Sequence, residues 1–277
     1  MELRPTSVED LPALHEVFLA AISGVYLPHG FQPPSPPVDV FTTQQEHVLR
    51  TGVSHVAVRD GTITGFASAW SRMDDWFLAS LFIAPDAQGQ GLGRSLLDAV
   101  WGGGELARRR TITDAIQPIS NALYASRGLA PTTPVLVFSG VPTPGAPLLE
   151  QGQGDLAPID AAAYGFDRAV DHDYWSRHGR RTVWLRDGEP VAYSYAFPGG
   201  SIGPVAGIDP AAAAAALEGE LASVGGPVLL RVPGSSRALV TAALRAGLTL
   251  SATPGLLLLS ETAPPPTSLA IAGYMLF

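Results

Sequence analysis

At 277 residues, 46% hydrophobic and 15% charged, the chain has material for one large or two ordinary buried cores, which excludes global disorder. It has no cysteine, so disulfides, thiolate metal sites and cysteine nucleophiles are excluded together. A net charge of −8 argues against non-specific nucleic-acid binding, which neutralises phosphates with Lys and Arg, and leans weakly toward a cationic or amine-bearing substrate.

The first segment, ELRPTS, reads as a short strand. VEDLPALHEVFLAAI follows with Leu11, Leu14, Val17, Phe18 and Ile22 on one helical face. Ser7 is the expected N-cap, with Asp10 as an acid in the first turn. GFQPPSPPVDV is too rich in proline for a helix or a central strand, and 41–50 reads as a second short helix. After Gly52 the period changes to two: VSHVAVRDGTITGFASAW reads as a hairpin with Asp60-Gly61 at its turn. DWFLASLFIAP is a strand that enters a glycine-rich loop and then a helix. Residues 108–116 form a strand, PISNALYASRGL a helix closed by Gly128, and PVLVFSG a strand.

Residues 141–158 are dense in Pro and Gly without periodicity and read as a linker between domains 1–140 and 159–277. Beyond it the order partly repeats. A helix is expected around 159–178, then a hairpin TVWLRDGEPVAYSY turning at Asp187-Gly188, then a helix from Pro210 to Val224 capped by Asp209. A strand VLLRVP, a helix SSRALVTAALRAG and a last strand GLLLLSE complete the half. The succession suggests a tandem repeat of one α+β fold. Apolar runs such as Leu256 to Leu259 fall far short of the roughly 18 residues of a membrane span. The N-terminus carries acids and prolines where a signal peptide has a basic start, so a cytoplasmic chain with no membrane partner is expected.

The stretch that carries chemistry is SLFIAPDAQGQGLGRSLLDAV, residues 80–100. Gln88, Gly91 and Gly93 make a Q-x-x-G-x-G loop between a strand and an amphipathic helix buried through Leu92, Leu96, Leu97 and Val100. Such a loop offers backbone N–H groups beside a positive helix end, as a pyrophosphate requires, and glycines let the main chain approach the oxygens. Arg94 adds a fixed charge. No Gly-Lys-Ser/Thr follows, so it is not a Walker A loop. The strand does not open a βαβ unit with a following acid, so it is a poor dinucleotide fingerprint. Taken alone, the loop could equally be a tight strand–helix turn.

FIAPDAQGQGLGRSLL followed some 25 residues later by SNALYASRGLAP resembles the GNAT superfamily of N-acetyltransferases. The resemblance covers roughly residues 1–140. It implies tandem GNAT-like domains, each a central, mostly antiparallel mixed sheet flanked by helices, and an acetyl-CoA-dependent N-acetyltransferase. It further implies that Gln88, Gly89, Gln90, Gly91, Leu92, Gly93, Arg94 and Ser95 hold the CoA pyrophosphate. Leu81, Phe82 and Ile83 would offer main-chain groups to the pantetheine arm, Asn121 a polar contact, and Tyr124 the proton for the departing thiolate. The second half, through AAAYGFDR, SIGPVAGIDP and LLRVPG, resembles the C-terminal GNAT-like domain of tandem acetyltransferases. Its loop from Pro204 to Pro210 lacks Q-x-x-G-x-G, so this half is not expected to bind CoA.

The resemblance implies direct attack of an amine on the thioester, with an N–H near Ile83 as oxyanion donor. The acceptor expected is a small-molecule amine; a protein or peptide amine, or a silent acyl-CoA-binding sensor, are the alternatives. WFLASLFIA carries no acid where many relatives have a Glu base; Asp74, Asp75, Glu46, His47, His29 and His55 are options, none preferred. Asp171, His172, Asp173 and His178 read as a solvated helix rather than a metal site, and no metal is expected. Trp175 and Trp184 read as packing, and Arg108 to Arg110 as a basic strand edge. The second half is expected to shape the acceptor pocket or the interface of a homodimer.

Overall fold

Period-two alternation after Gly52 produces a meander of antiparallel strands, and the 3.6-period segments around it supply the helices that cover them. In the computed structural model, which describes residues 2–102, 108–143, 145–251 and 253–277, the chain divides into two units. Unit 1 comprises Met1–Thr111 with Ile116–Arg127, and unit 2 comprises Ile112–Ala115 with Gly128–Phe277.

In unit 1, β1 (Glu2–Pro5) pairs antiparallel with β2 (Gly52–Arg59), β2 with β3 (Thr62–Arg72), and β3 with β4 (Asp75–Ile83). The β2–β3 turn places Asp60 and Gly61 at φ 52° and 78°, the left-handed pair that a two-residue hairpin requires. β5 (Arg108–Asp114) joins β4 in parallel through Arg108–Thr111, the part of it that belongs to this unit. α1 (Leu11–Tyr26) and α2 (Val38–Thr51) cover one face, where Leu11, Leu14, Val17 and Phe41 bury against Val56 and Phe66. α3 (Leu92–Val100) covers the other face and buries Leu92, Leu96, Leu97 and Val100, as the sequence pattern requires. Ahead of α1, the N–H of Ser7 donates to Asp10 Oδ2 (2.8 Å), and Arg4 grips the same carboxylate at 2.7 and 2.8 Å. The helical stretch Val8–His29 is long and apolar enough to meet a membrane-span criterion by length and composition, contrary to the sequence expectation. Its apolar stripe, through Leu11, Leu14 and Val17, is the stripe that packs on the sheet.

Two features of β4 position the site. The β3–β4 register slips between Ser68 and Ala69, leaving Ala79 as an extra residue that bends β4. The parallel pairing to β5 runs only from Asp75↔Arg108 to Leu78↔Thr111, ending where Thr111 Oγ1 donates to Leu78 O at 3.1 Å. Beyond the bulge β4 and β5 are no longer paired. α4 (Pro118–Ala125) completes this unit.

In unit 2 the strands run in the spatial order β13 (Gly255–Leu259), β6 (Ala130–Gly140), β11 (Val228–Pro233), β10 (Ser201–Gly207), β9 (Glu189–Ala196), β8 (Arg180–Arg186), β7 (Glu150–Gly152). β12 (Thr249–Leu250) pairs with β6, and β14 (Leu269–Ala270), an element absent from the sequence reading, pairs with β10. The single helix expected around 159–178 is two helices, α5 (Ala157–Ala163) and α6 (Ala169–His178). α7 (Pro210–Ser223) and α8 (Arg237–Arg245) bury their apolar faces among Ile202, Val205, Leu217, Leu221 and Leu239. The hairpin at Asp187-Gly188 again uses left-handed residues, at φ 53° and 83°.

Candidate functional site

After Ile83 the chain makes one 3₁₀ turn, Pro85–Ala87, and reaches Gln88 to Gly91 before α3 begins. Gly89 and Gly91 lie at φ 75° and 81°, conformations that a side chain resists, and an added Cβ at either would meet nothing within 4 Å. The space in front of the loop is open. Arg94 and Ser95 direct their N–H groups to Gly91 O, at 3.1 and 3.2 Å. Among the described residues, no hydrogen bond takes up the N–H groups of Gly89, Gln90, Gly91, Leu92 or Gly93. Gly91 is the N-cap and brings no side chain to them. The result is a set of orphan donors at the positive end of a helix. Arg94 stands exposed in the first turn, and Leu92 contributes only its main chain outward, its side chain being core. Gln88 differs from the expectation in detail: its Nε2 donates to Ile83 O at 3.0 Å, so the side chain braces the loop. Gln90 braces it likewise through Asp86 O at 3.3 Å.

Sequence spacing could not show whether the second motif reaches the first. A Cβ built on Gly93 would lie 3.8 Å from Leu123 Cδ2 and 4.0 Å from Ile83 Cγ1. The first turn of α3, the end of β4 and α4 therefore converge. On α4, Asn121 Oδ1 is buried without a hydrogen-bond partner, an orphan acceptor on the helix that meets the first turn of α3. Tyr124 is 4% exposed. Burial pushes its phenol well above the ordinary value, the Ser120 hydroxyl opposing in part, so Oη holds its proton throughout the physiological range. Ser120 is a partner the sequence reading did not single out. Of the β4 end, Phe82 packs edge-on to Phe18 (5.0 Å between centroids) on the α1 side, while Leu81, Phe82 and Ile83 lie past the last β5 pairing. Free N–H donors, an orphan carbonyl and a split strand pair make a fit for an extended, phosphate-bearing molecule.

The three acids considered as bases are engaged. Asp75 is buried between Arg110 (2.6 Å) and Arg108 (2.9 Å), and Asp74 pairs with Arg108 at 2.8 Å. Glu46 pairs with Arg50 across one helical turn. Burial lowers the His55 imidazole below its ordinary value, and its Nδ1 has no partner. Arg109 lies over Trp101 (4.4 Å) and donates to Trp101 O. Arg108 and Arg110 are tied to aspartates, with Arg110 buried, and Arg109 lies on aromatic rings, so the three are packed ion-pair and stacking residues and not the basic strand edge the sequence suggests.

In unit 2 the helix-start that corresponds to the loop is closed. Asp209 caps α7 by accepting from Ala212 N at 2.7 Å, and Pro210 removes a further donor. A carboxylate sits where unit 1 leaves bare N–H groups. The helix read as solvated is instead partly buried: Asp171 binds Arg168 at 2.9 Å, and His172 lies between Asp160 and Tyr195, each at 3.0 Å. Trp175 and Trp184 are core residues. Among the described residues, no group of three or more His, Asp or Glu is arranged to hold a metal.

Residues 19–129 match the model of the acetyltransferase (GNAT) family. No curated protein matches the chain. Among solved structures, a Pyrococcus horikoshii protein assigned as an acetyltransferase is 15% identical, with 100% of this chain and 95% of that one covered and a TM-score of 0.77. A GCN5-related N-acetyltransferase from Sphaerobacter thermophilus is 16% identical over 96% of this chain and 97% of that one, with a TM-score of 0.62. A tandem GNAT protein from the clavulanic acid biosynthesis pathway is 14% identical over 95% and 99%, with a TM-score of 0.55. At these identities the likeness is one of fold: two GNAT-like halves, each a mixed sheet flanked by helices.

Proposed function

We propose, from the match of residues 19–129 to the acetyltransferase (GNAT) family model, that the chain transfers acetyl from acetyl-CoA to an amine, using unit 1. The observation that carries the reading is the convergence of five unpartnered N–H groups, Gly89 to Gly93, with the split end of β4 and with α4. In this reading those N–H groups and Arg94 hold the pyrophosphate, and Asn121 Oδ1 accepts from an amide of the pantetheine arm. Main-chain groups of Leu81 to Ile83 line the arm. Acetyl-CoA supplies the activated acetyl group. Tyr124 Oη, a buried phenol, carries the proton that the leaving sulfur needs. With Asp74, Asp75 and Glu46 ion-paired, we assign loss of the amine proton to water rather than to a carboxylate. The chain's net charge of −8 supports a cationic acceptor, and a small-molecule amine is the class we assign.

The test is thiol release from acetyl-CoA with a panel of small amines, polyamines, amino-acid amides and peptide N-termini. Gly91→Asp, which puts a carboxylate and a side chain at φ 81° in the loop, is run beside the wild type. Amine-dependent release by the wild type, abolished in the variant together with acetyl-CoA binding, supports the reading. Binding of acetyl-CoA with no turnover on any amine makes the chain a binder or sensor instead. Turnover only with peptides replaces the acceptor class.

A further inference from the structure

Unit 2 repeats the bent strand of unit 1 but not its open end. β10 pairs with β11 in parallel only at Ser201↔Leu229 and Ile202↔Leu230. Its register against β9 then slips between Ile202 and Val205, leaving one extra residue, as at Ala79 of β4. Past the slip, β10 has no pairing to β11, as β4 has none to β5 past Leu78. The gap is instead filled by the chain's own segment 268–277. Val205↔Ala270 and Ala206↔Leu269 pair antiparallel, Gly207 N–H donates to Ser268 O at 3.1 Å, and Ile271 N–H donates to Arg231 O at 3.0 Å. The inserted strand is hydrogen-bonded on both edges. A Cβ on Gly203 would lie 2.3 Å from Ile271 O, so the glycine is what admits the strand.

A buried cation that the proposed chemistry does not use holds the far end of this segment. Arg168 is 0% exposed, and its Nη1 and Nη2 donate to the main-chain oxygens of Phe277 (2.7 Å) and Leu276 (2.6 Å). Its Nε donates to Asp171 at 2.9 Å, and its guanidinium lies 4.7 Å from the ring centroids of both Tyr164 and Trp175. Asp160 fixes the backbone there by accepting from Arg168 N at 3.0 Å and from Tyr193 Oη at 2.7 Å. Leu269, Ala270, Ile271 and Phe277 are wholly buried.

We propose that residues 268–277 are an intramolecular strand plug, latched by Arg168, that closes the split of unit 2 corresponding to the one that takes the pantetheine arm in unit 1. The proposal rests on that reading of unit 1. Its consequence is a chain with one acetyl-CoA site, and a plug that stays in place through turnover.

Titration calorimetry of the intact chain with acetyl-CoA is expected to give one site per chain, and none for Gly91→Asp. Two sites in the wild type, or one site retained by the variant, overturns the plug. Hydrogen exchange tests it independently of the ligand. The Gly207 and Ile271 amides are expected to exchange as slowly as the central strands, with and without saturating acetyl-CoA. Exchange as fast as that of exposed loops, or loss of protection on binding, overturns it. A wild type that binds no acetyl-CoA refutes the reading of unit 1, and the exchange data then decide the plug alone. Because the chain has no cysteine, Val205→Cys with Ala270→Cys introduces a single testable cross-link. The oxidised protein is expected to keep wild-type stoichiometry and turnover; a loss reversed by reductant overturns the claim that the plug stays in place.

Discussion

Replacing Tyr124 by Phe removes one oxygen from a buried side chain and leaves its packing. Structurally the change forfeits the hydrogen bond with Ser120, a net loss of about 1 kcal/mol in stability, because the half-buried serine can turn to another acceptor or to water. For a chain of this size that lowers Tm by about 2–4 °C. Catalytically, loss of a positioned general acid costs about 10²–10⁴ in rate, or about 3–5 kcal/mol of barrier. The two effects differ enough to be read separately. The assay is release of free thiol at saturating acetyl-CoA and amine, with binding of acetyl-CoA measured by calorimetry and Tm by scanning. The expected result is kcat reduced by at least about 100-fold, acetyl-CoA affinity within about threefold (under 1 kcal/mol), and a small fall in Tm. The defect should shrink when the acyl donor carries a more acidic thiol, which leaves without a proton. A kcat within about threefold of wild type refutes the assignment and makes Tyr124 a packing residue. A defect that does not respond to the thiol's acidity points to misplacement of α4 rather than to a missing proton.

Four further outcomes can be checked. With water in place of an enzymic base, kcat/KM should climb with pH up to the acceptor amine's own pKa of about 10; a plateau near neutrality would reveal a dedicated base. The Arg4 guanidinium holds the Asp10 carboxyl at about 2, below its unfolded value, so its stabilisation is present above about pH 4 and lost as pH falls toward 2. With Arg4 37% exposed, Asp10→Asn should cost about 1 kcal/mol in urea unfolding at pH 7, and the gap to wild type should close at lower pH. Gly207→Ala would put a Cβ 2.4 Å from Ala213 N on rigid backbone; displacement of α7 should cost about 1–3 kcal/mol in thermal melts. Ser194 accepts from Trp184 Nε1 (2.8 Å) and donates to buried Glu220 (2.5 Å), so Ser194→Ala should destabilise by about 1–3 kcal/mol and alter tryptophan emission.

What the sequence determined is what local rules reach. Asp60-Gly61 and Asp187-Gly188 admit left-handed turns, so both hairpins were legible from the chain alone. The spacing of Leu92, Leu96, Leu97 and Val100 dictates the buried face of α3, and Gly89 and Gly91 the bare loop before it. Asp209-Pro210 announced a capped helix in the second half, the difference that leaves α7 without free donors. The rest depends on residues far apart in sequence. The approach of Leu123 to Gly93, the ion pairs that occupy Asp74 and Asp75, and the orphaned Asn121 Oδ1 follow from how β4, β5 and α4 pack. The burial of Asp171 and His172 is not legible locally, because a run of polar residues on a helix has the pattern of a solvated face and only Arg168, Asp160 and Tyr195, brought in by folding, satisfy it. The strand at 269–270 carries too short a pattern to be read locally. Its hydrogen bonds come from β10 and β11, more than 30 residues upstream, and only folding brings those edges to it.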